Sequence, residues 1–172
     1  MNTLVVNLFA GPGAGKSTMA AGLFFKLKTD GFNVELVTEF AKDLTWEGRQ
    51  HALSNQVYVL GEQSHRLHRL IGKVQAIVTD SPLLLQTLYI KPNEYNLRSL
   101  ITDLHESQNH YDIFIERTKI YNPAGRSQTE LQAQALDNEM LQLLKSQRSI
   151  YAVVQGNPSG LDILFDAVKR KL

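Results

Sequence analysis

The chain has 172 residues, of which 43% are hydrophobic, a length that suits one domain with a full core and leaves no room for a second catalytic domain. A formal net charge of +1 neither requires nor excludes a polyanionic partner, and the absence of cysteine excludes disulfides, thiolate nucleophiles and cysteine-held metals. No apolar stretch approaches the ~20 residues that span a bilayer, and the N-terminus lacks a signal-peptide pattern. We therefore expect a cytoplasmic protein without membrane contact, whose oligomeric state the sequence leaves open.

Short apolar runs alternate along the chain with segments of helical periodicity. The predicted strands are Leu4–Phe9, Val34–Thr38, Ala76–Thr79, Ile113–Ile115 and Ile150–Val154. The predicted helices are Lys16–Lys28, Ser54–Ile71, Asn96–Glu106, Thr129–Ser146 and Ser159–Lys171, the last with Ser159 as its N-cap. This alternation predicts an α/β fold over a single domain, 1–172, with a parallel sheet covered by helices. Because ligands of such sheets bind beyond the carboxyl ends of the strands, residues that follow a strand are the first candidates for chemistry.

The first predicted strand runs directly into the glycine-rich segment Ala10–Thr18, which reads Ala-Gly-Pro-Gly-Ala-Gly-Lys-Ser-Thr. Such a turn lets backbone N–H groups point at a polyphosphate, and the following helix adds its positive N-terminal dipole. In this pattern Lys16 reaches the β- and γ-phosphates and Ser17 ligates Mg²⁺. The strict pattern has glycine where this chain has Ala10, and alanine is still small enough for the turn. We therefore predict ATP and Mg²⁺ as cofactors, with the nucleotide bound by Gly11, Gly13, Ala14, Gly15, Lys16, Ser17 and Thr18.

Two acidic residues stand directly after predicted strands. Asp80 closes the third strand, where phosphate-loop enzymes carry the acidic residue that holds Mg²⁺; its alternative role is a turn or helix-cap aspartate. Glu39 follows the second strand on the acceptor side of the phosphate loop, where a carboxylate can take the proton of a substrate hydroxyl. Its alternative role is an exposed acid or an ion-pair partner of Lys42. Lys16, Glu39 and Asp80 are thus candidate catalytic residues, and which carboxylate is the general base stays open.

Two further loops at strand ends are candidates for the site. The polar segment at residues 117–128 is interpreted as a short lid, from which Arg117 and Arg126 close onto the phosphates and complete the catalytic set. The alternative is an ordinary solvated loop. After the fifth strand, Asn157 lies in a loop that we expect to pass over the nucleotide base, where contacts are largely main-chain.

The acceptor pocket is predicted between residues 43 and 63, where flat aromatic and amide side chains suit a base or a ribose. These side chains are Trp46, Arg49, Asn55, Gln56, Tyr58 and Gln63. The basic cluster that follows comprises His65, Arg66, His68 and Arg69. It can contact a substrate phosphate or a nucleic-acid backbone, although such a run is more often a solvated helix face.

Taken together, these motifs resemble the small P-loop kinases related to nicotinamide riboside kinase, in a branch that includes short phage-encoded ATP-binding proteins. The resemblance is carried by the phosphate loop, by Glu39-Phe40-Ala41, by Gln56 with Gly61 and Gln63, by Thr79-Asp80-Ser81-Pro82, and by Tyr121-Asn122-Pro123 with Gly125-Arg126. It implies a P-loop NTPase fold of five parallel strands with the phosphate-loop strand central and MgATP as donor. It also implies a nucleoside-like acceptor, which similar kinases take as a free nucleoside, a nucleotide, or a hydroxyl in modified DNA such as hydroxymethyluracil in phage DNA.

Three functions follow from this sequence. The leading hypothesis is an ATP-dependent phosphotransferase whose acceptor is a hydroxyl of a free nucleoside or nucleotide. The second is a DNA kinase with the same chemistry, in which Arg66 and Arg69 grip the strand. The third is an ATPase switch that acts on a protein partner and positions water instead of an acceptor.

Overall fold

The computed structural model describes residues 2–90, 96–122, 129–147 and 150–172. Five parallel strands form one sheet in the order β2-β3-β1-β4-β5. Their bounds are β1 Leu4–Phe9, β2 Val34–Val37, β3 Ala76–Thr79, β4 His110–Glu116 and β5 Tyr151–Gln155. The strand that leads into the phosphate loop is central, as the family resemblance implies, so the loop opens at the middle of the sheet's carboxyl edge.

Helices connect the strands and cover both faces of the sheet. Their bounds are α1 Lys16–Thr29, α2 Phe40–Trp46, α3 Gln50–Ser54, α4 Gln56–His68, α5 Leu97–Glu106, α6 Glu130–Ser146 and α7 Pro158–Lys169. A 3₁₀ helix, Leu83–Leu88, follows β3. Within the described residues, no helix is both long and apolar enough to cross a membrane.

The side chains of β1 alternate between two apolar layers, as those of a strand buried on both faces must. Val6 and Leu8 pack with α1 and α7 on one face, in a cluster that includes Leu23 and Leu164. Val5 and Phe9 face the other way, into a cluster that includes side chains of the 3₁₀ helix, α5 and α6. Because side chains on both faces of β1 are buried, the position of this strand is fixed, and so is the point at which the phosphate loop starts.

A buried polar cluster ties β1 to β4 within the second layer. The Asp112 carboxylate is fully buried and accepts a hydrogen bond from Asn7 Nδ2 at 2.9 Å. Its other oxygen lies 3.0 Å from Nε2 of buried His105, and His110 Nδ1 lies 3.2 Å from Asp112 Oδ1. Burial alone would raise the pKa of the Asp112 carboxyl, but the contacts with His105, His110 and Asn7 outweigh it and hold that pKa well below its usual range.

The structure corrects several predicted boundaries. The helix predicted from Ser54 begins at Gln56 and ends at His68, because Ser54 closes the separate short helix α3. The N-cap of α7 is Asn157 and not Ser159: its side chain accepts the Gly160 N–H at 2.8 Å, with Pro158 at the first helical position. Helices α2 and α3 and the 3₁₀ helix were not predicted, since seven, five and six residues are too few to show a clear period.

Candidate functional site

The phosphate loop has the backbone that an anion cradle requires. Gly13 and Gly15 have φ values of 79° and 106°, in the left-handed region that favours glycine, and Gly15 stands at the N-terminus of α1. Ala10 is buried at the end of β1, so the residue that departs from the strict pattern is held among core side chains. Lys16 Nζ folds back and donates to the carbonyl of Ala10 at 2.6 Å and to that of Gly11 at 3.3 Å.

Glu39 is presented to the cleft by the junction between β2 and α2. It occupies the N-cap position of α2, yet its side chain makes no capping hydrogen bond and lines the open cleft. Buried Gln63 holds this junction from α4, because its Oε1 accepts the Phe40 N–H at 2.9 Å and its Nε2 donates to the Thr38 carbonyl at 3.4 Å. The peptide groups on both sides of Glu39 are therefore fixed by one amide side chain.

The charges of Lys16, Glu39 and Asp80 influence one another in the structure. Burial raises the pKa of the Glu39 carboxyl above its ordinary value; the Lys16 ammonium opposes this rise, and the Asp80 charge adds to it. Burial likewise lowers the pKa of Lys16, with Glu39, Asp80 and Asp137 opposing. The three sequence candidates thus form one coupled group at the carboxyl edge of the sheet.

Asp80 is 3% exposed, and its Oδ1 has no hydrogen-bond partner. A buried carboxylate oxygen without a donor is costly, and a divalent cation is the partner that would satisfy it. Ser17 lies at the start of α1 and lines the adjacent cleft, so the hydroxyl and carboxylate oxygens present are of the kind Mg²⁺ prefers. The alternative role of Asp80 as a helix cap is not observed, since Pro82 precedes the 3₁₀ helix without a side-chain cap bond.

Arg117 lies beside the phosphate loop and is held there by Asp137 of α6. Its Nε and Nη2 donate to Asp137 Oδ2 at 2.9 and 2.8 Å, while Asp137 Oδ1 accepts the Gly11 N–H at 2.5 Å. The remaining nitrogen, Nη1, is buried without a partner and lies 3.3 Å from where a Cβ on Gly13 would be. Nothing in the sequence marked Asp137, because its partners are distant along the chain.

The other predicted nucleotide contacts lie around the same loop. Gly156 approaches it so closely that a Cβ there would lie 2.7 Å from the Ala14 carbonyl, while the Asn157 side chain caps α7. Lys119 Nζ lies 3.9 Å from where a Cβ on Gly15 would be, a cation that the sequence analysis did not single out. Arg126 and residues 123–128 of the predicted lid lie outside the described residues.

A cleft of about 600 Å³ opens between the phosphate loop and the helices that follow β2 and β3. Lys16, Ser17 and Thr18 line it from the phosphate loop, and Glu39 lines it from the junction between β2 and α2. The remaining wall is built mainly by α2, α3, α4 and the 3₁₀ helix, through Ala41, Lys42, Thr45, Trp46, Leu53, Gln56, Val59, Ser81, Leu85, Gln86 and Tyr89.

A cleft lies at the segment where the acceptor pocket was predicted, and only part of the predicted residue set lines it. Trp46 and Gln56 line the cleft, whereas Arg49, Asn55, Tyr58 and Gln63 do not. Tyr58 packs edge-on against Phe40 at 5.4 Å, Asn55 caps α4, and Gln63 is buried on backbone groups. Gln86 and Tyr89 also line the cleft but were not among the predicted residues, because they lie on the unpredicted 3₁₀ helix and its C-cap.

Arg66, the centre of the predicted basic cluster, is already engaged within the chain. Its Nη2 donates to Asp43 Oδ2 at 2.7 Å, and its guanidinium lies over the Phe40 ring at 4.9 Å. Arg69 donates to the Arg66 carbonyl at 3.4 Å. Arg66 therefore braces α4 against α2 instead of presenting a free cation to a phosphate backbone.

No protein-family model matches the chain, and no curated protein matches its sequence. Among solved structures, the chain is similar to thymidylate kinase from Ehrlichia chaffeensis, with a TM-score of 0.63 and 13% sequence identity over 99% of this chain and 98% of the neighbour. At that identity the likeness shows the fold alone. The chain therefore shares the fold of that thymidylate kinase, with five parallel strands flanked by helices. The likeness does not single out the kinases related to nicotinamide riboside kinase.

Proposed function

We propose that the protein is an ATP- and Mg²⁺-dependent kinase that transfers the γ-phosphoryl group to a hydroxyl of a nucleoside or nucleotide. The observation that carries the proposal is the position of Glu39, a carboxylate with no structural hydrogen bond, which lines the cleft with Lys16 and Ser17 of the phosphate loop. The resemblance to nicotinamide riboside kinase-like kinases and the name of the structural neighbour both support a nucleoside or nucleotide acceptor.

The donor side of the proposed reaction uses the phosphate loop. Backbone N–H groups from Gly13 to Thr18 and the N-terminus of α1 bind the β- and γ-phosphates, and Lys16 leaves its carbonyl partners to pair with phosphate oxygens. Ser17 and Asp80 would hold Mg²⁺, which would neutralise charge on the phosphates. Arg117 already lies beside Gly13 with one nitrogen unpartnered, so it can reach a phosphate oxygen without a large movement.

The acceptor side of the reaction uses Glu39. The acceptor oxygen forms a bond to the γ-phosphorus, the bond from that phosphorus to the bridging oxygen breaks, and ADP leaves. The hydroxyl proton passes to the Glu39 carboxylate. Because burial raises the pKa of Glu39, its conjugate base is stronger than an exposed glutamate, which favours proton abstraction.

The two alternative functions receive less support from the residues. A DNA kinase needs free cations beside the cleft, and Arg66, the central candidate, is paired with Asp43. An ATPase switch needs no acceptor cleft, whereas the space between the phosphate loop and α2–α4 is large enough for a nucleoside-sized molecule. Neither alternative explains why Glu39, whose side chain makes no capping hydrogen bond, lines that space.

The test is the variant Glu39→Gln, assayed with γ-labelled ATP against nucleosides, nucleotides and modified DNA. We expect ATP affinity to be kept and phosphoryl transfer to slow by ~10²-fold or more. The rise of kcat/KM with pH, which reports ionisation of Glu39, should disappear in the variant.

The matched control is Glu35→Gln, the same chemical change on β2 at a surface residue paired with Lys28. It should leave transfer unchanged. Normal turnover by Glu39→Gln would remove Glu39 from the mechanism, and label that passes only to water across the whole panel would replace the kinase with an ATPase.

A further inference from the structure

The acceptor cleft has few positive charges of its own. Among the described residues that line it, the cations are Lys16 and Lys42, and no arginine is present. Lys16 belongs to the phosphate loop and is committed to the donor, which leaves exposed Lys42 for the acceptor. The same space already holds the carboxylate of Glu39, next to the charge of Asp80. An acceptor that carries a phosphate dianion would add like charge here with a single exposed ammonium to balance it.

The cleft also contains an amide that the fold does not satisfy. Gln86 is 7% exposed, lines the cleft, and has a buried Oε1 without any hydrogen-bond partner. An orphaned buried acceptor costs free energy unless a ligand supplies the missing donor. Rotation about the last bond of a glutamine side chain is broad, so this amide can turn its oxygen toward a donor in the cleft. Of the two amides in this wall, Gln56 is already used, because its Nε2 donates to the Leu53 carbonyl at 3.0 Å.

The cleft that Gln86 lines suits a flat, uncharged ring. Leu53, Val59 and Leu85 line the same cleft with apolar surface. Trp46, another lining residue, has 72% of its surface exposed, and its indole offers a flat face on which a ring can stack. Burial, together with the charges of Glu39 and Glu139, raises the pKa of Tyr89 to about 12, so its phenol remains a neutral hydrogen-bond donor beside Glu39. A planar heterocycle with an N–H and a carbonyl on one edge can pack on these apolar side chains and pair with the Gln86 amide.

We propose that the acceptor is a phosphate-free, nucleoside-like alcohol, and that Gln86 is the specificity residue that pairs with an N–H and carbonyl edge of its heterocycle. The proposal rests on the kinase function above, and it narrows that function from nucleosides or nucleotides to nucleosides. The product is then a nucleoside monophosphate, formed by the hydroxyl-to-phosphorus bond with ADP as leaving group.

The experiment compares each nucleoside with its own 5′-monophosphate and with a nucleoside analogue methylated at the edge N–H, using MgATP and the intact chain. We expect kcat/KM for the preferred nucleoside to exceed that for its monophosphate by about tenfold or more, and the methylated analogue to be disfavoured to a similar degree. Gln86→Leu should bring the ratio between the parent and methylated nucleosides close to one. Its melting temperature should stay the same or rise, because the variant removes an unsatisfied buried oxygen. Gln142→Leu, at an exposed position on α6, is the matched control and should change neither value.

The possible outcomes distinguish a failure of the acceptor proposal from a failure of the kinase function on which it rests. Preferred transfer to monophosphates, giving diphosphates, would overturn the phosphate-free acceptor and leave a kinase. Unchanged discrimination against the methylated analogue in Gln86→Leu, or a clear fall in its melting temperature, would assign Gln86 to the scaffold and again leave a kinase. Label that reaches only water would end both proposals.

Discussion

Two buried aspartates, one in and one directly after a strand that flanks β1, differ in how their carboxylates are partnered. Asp112 in β4 is fully buried and surrounded by partners: Asn7, His105 and His110 all contact its carboxylate. Asp80, directly after β3, is 3% exposed, and its Oδ1 has none. The two strands flank the same central strand, so the difference does not come from depth in the fold.

This difference distinguishes the charge of Asp112, which stabilises the fold, from the charge of Asp80, which is buried without stabilising it. Hydrogen bonds from several donors offset part of the free energy lost when a carboxylate is desolvated. A buried carboxylate oxygen without a donor has no such compensation and lowers the stability of the fold. Such a cost persists where another requirement maintains it, and unsatisfied groups of this kind concentrate at functional sites. On this reasoning we assign Asp112 to the scaffold and propose that Asp80 is reserved for an external cation.

The largest expected effect comes from Asp80→Asn. Removing the charge that we propose holds Mg²⁺ should lower phosphoryl transfer by about 10³-fold. Stability measured without metal should be unchanged or higher, because the variant removes a buried charge whose Oδ1 has no hydrogen-bond donor, and this gain offsets the lost attraction to the Lys16 ammonium. Transfer rates and urea unfolding curves check the two halves. A variant that loses stability as well as activity would erase the distinction between the two aspartates.

Asp112→Asn should give the reverse result. Breaking this buried network leaves His105 and His110 facing a neutral amide, and we expect a loss of about 3 kcal/mol in the free energy of unfolding. Transfer per folded molecule should remain within about threefold of the original, because Asp112 touches no part of the cleft. Urea midpoints at constant m-value measure the first quantity, and kcat/KM at 25 °C the second. Lost activity in a fully stable variant would place Asp112 in the site.

Because of the cluster around Asp112, the free energy of unfolding should decrease both at low pH and at high pH. The folded-state pKa of Asp112 is lowered, so its contribution is present above the unfolded value of ~3.9 and is lost as pH falls below it. The pKa of His110 is raised, chiefly by its hydrogen-bonding contact with Asp112 and also by Glu106, so its contribution is present below its ordinary value of 6.5 and is lost as pH rises through the folded value.

The stability difference between the original chain and Asp112→Asn should therefore be greatest between about pH 4 and pH 6.5. Urea midpoints across the pH range measure this difference. His110→Gln should remove the decline on the alkaline side and keep the decline on the acid side. A difference that does not vary with pH would mean that neither group changes charge as the direction of its pKa shift requires.

The comparison also explains what sequence alone could predict. The phosphate loop is local, and Glu39 and Asp80 follow strands directly, so the rule that ligands bind at the carboxyl edge led to the prediction of all three, and the structure places them at that edge. Gln86 could not be predicted from the sequence, because it lies on a six-residue 3₁₀ helix without a clear hydrophobic period. Asp137 was out of reach for a different reason: its partner Gly11 is 126 residues away, and only the packing of α6 against the loop brings them together. The Asp112 cluster likewise depends on strand register, which places Asn7 opposite Asp112.

Asp137 is intermediate between the two aspartates, because it lies beside the phosphate loop and yet both of its oxygens accept hydrogen bonds. Asp137→Asn can still accept the Gly11 N–H, but its amide hydrogens would face the Arg117 guanidinium and release it. We expect transfer to fall about tenfold, since a charge-assisted pair that positions one cation is lost while the loop, metal site and base remain. Asp166→Asn, the same change on an exposed face of α7, should leave transfer unaffected. A loss as large as that in Asp80→Asn would mean that Asp137 acts on the phosphates more directly than through Arg117, and a rise in transfer would mean that it restrains Arg117 until ATP displaces it.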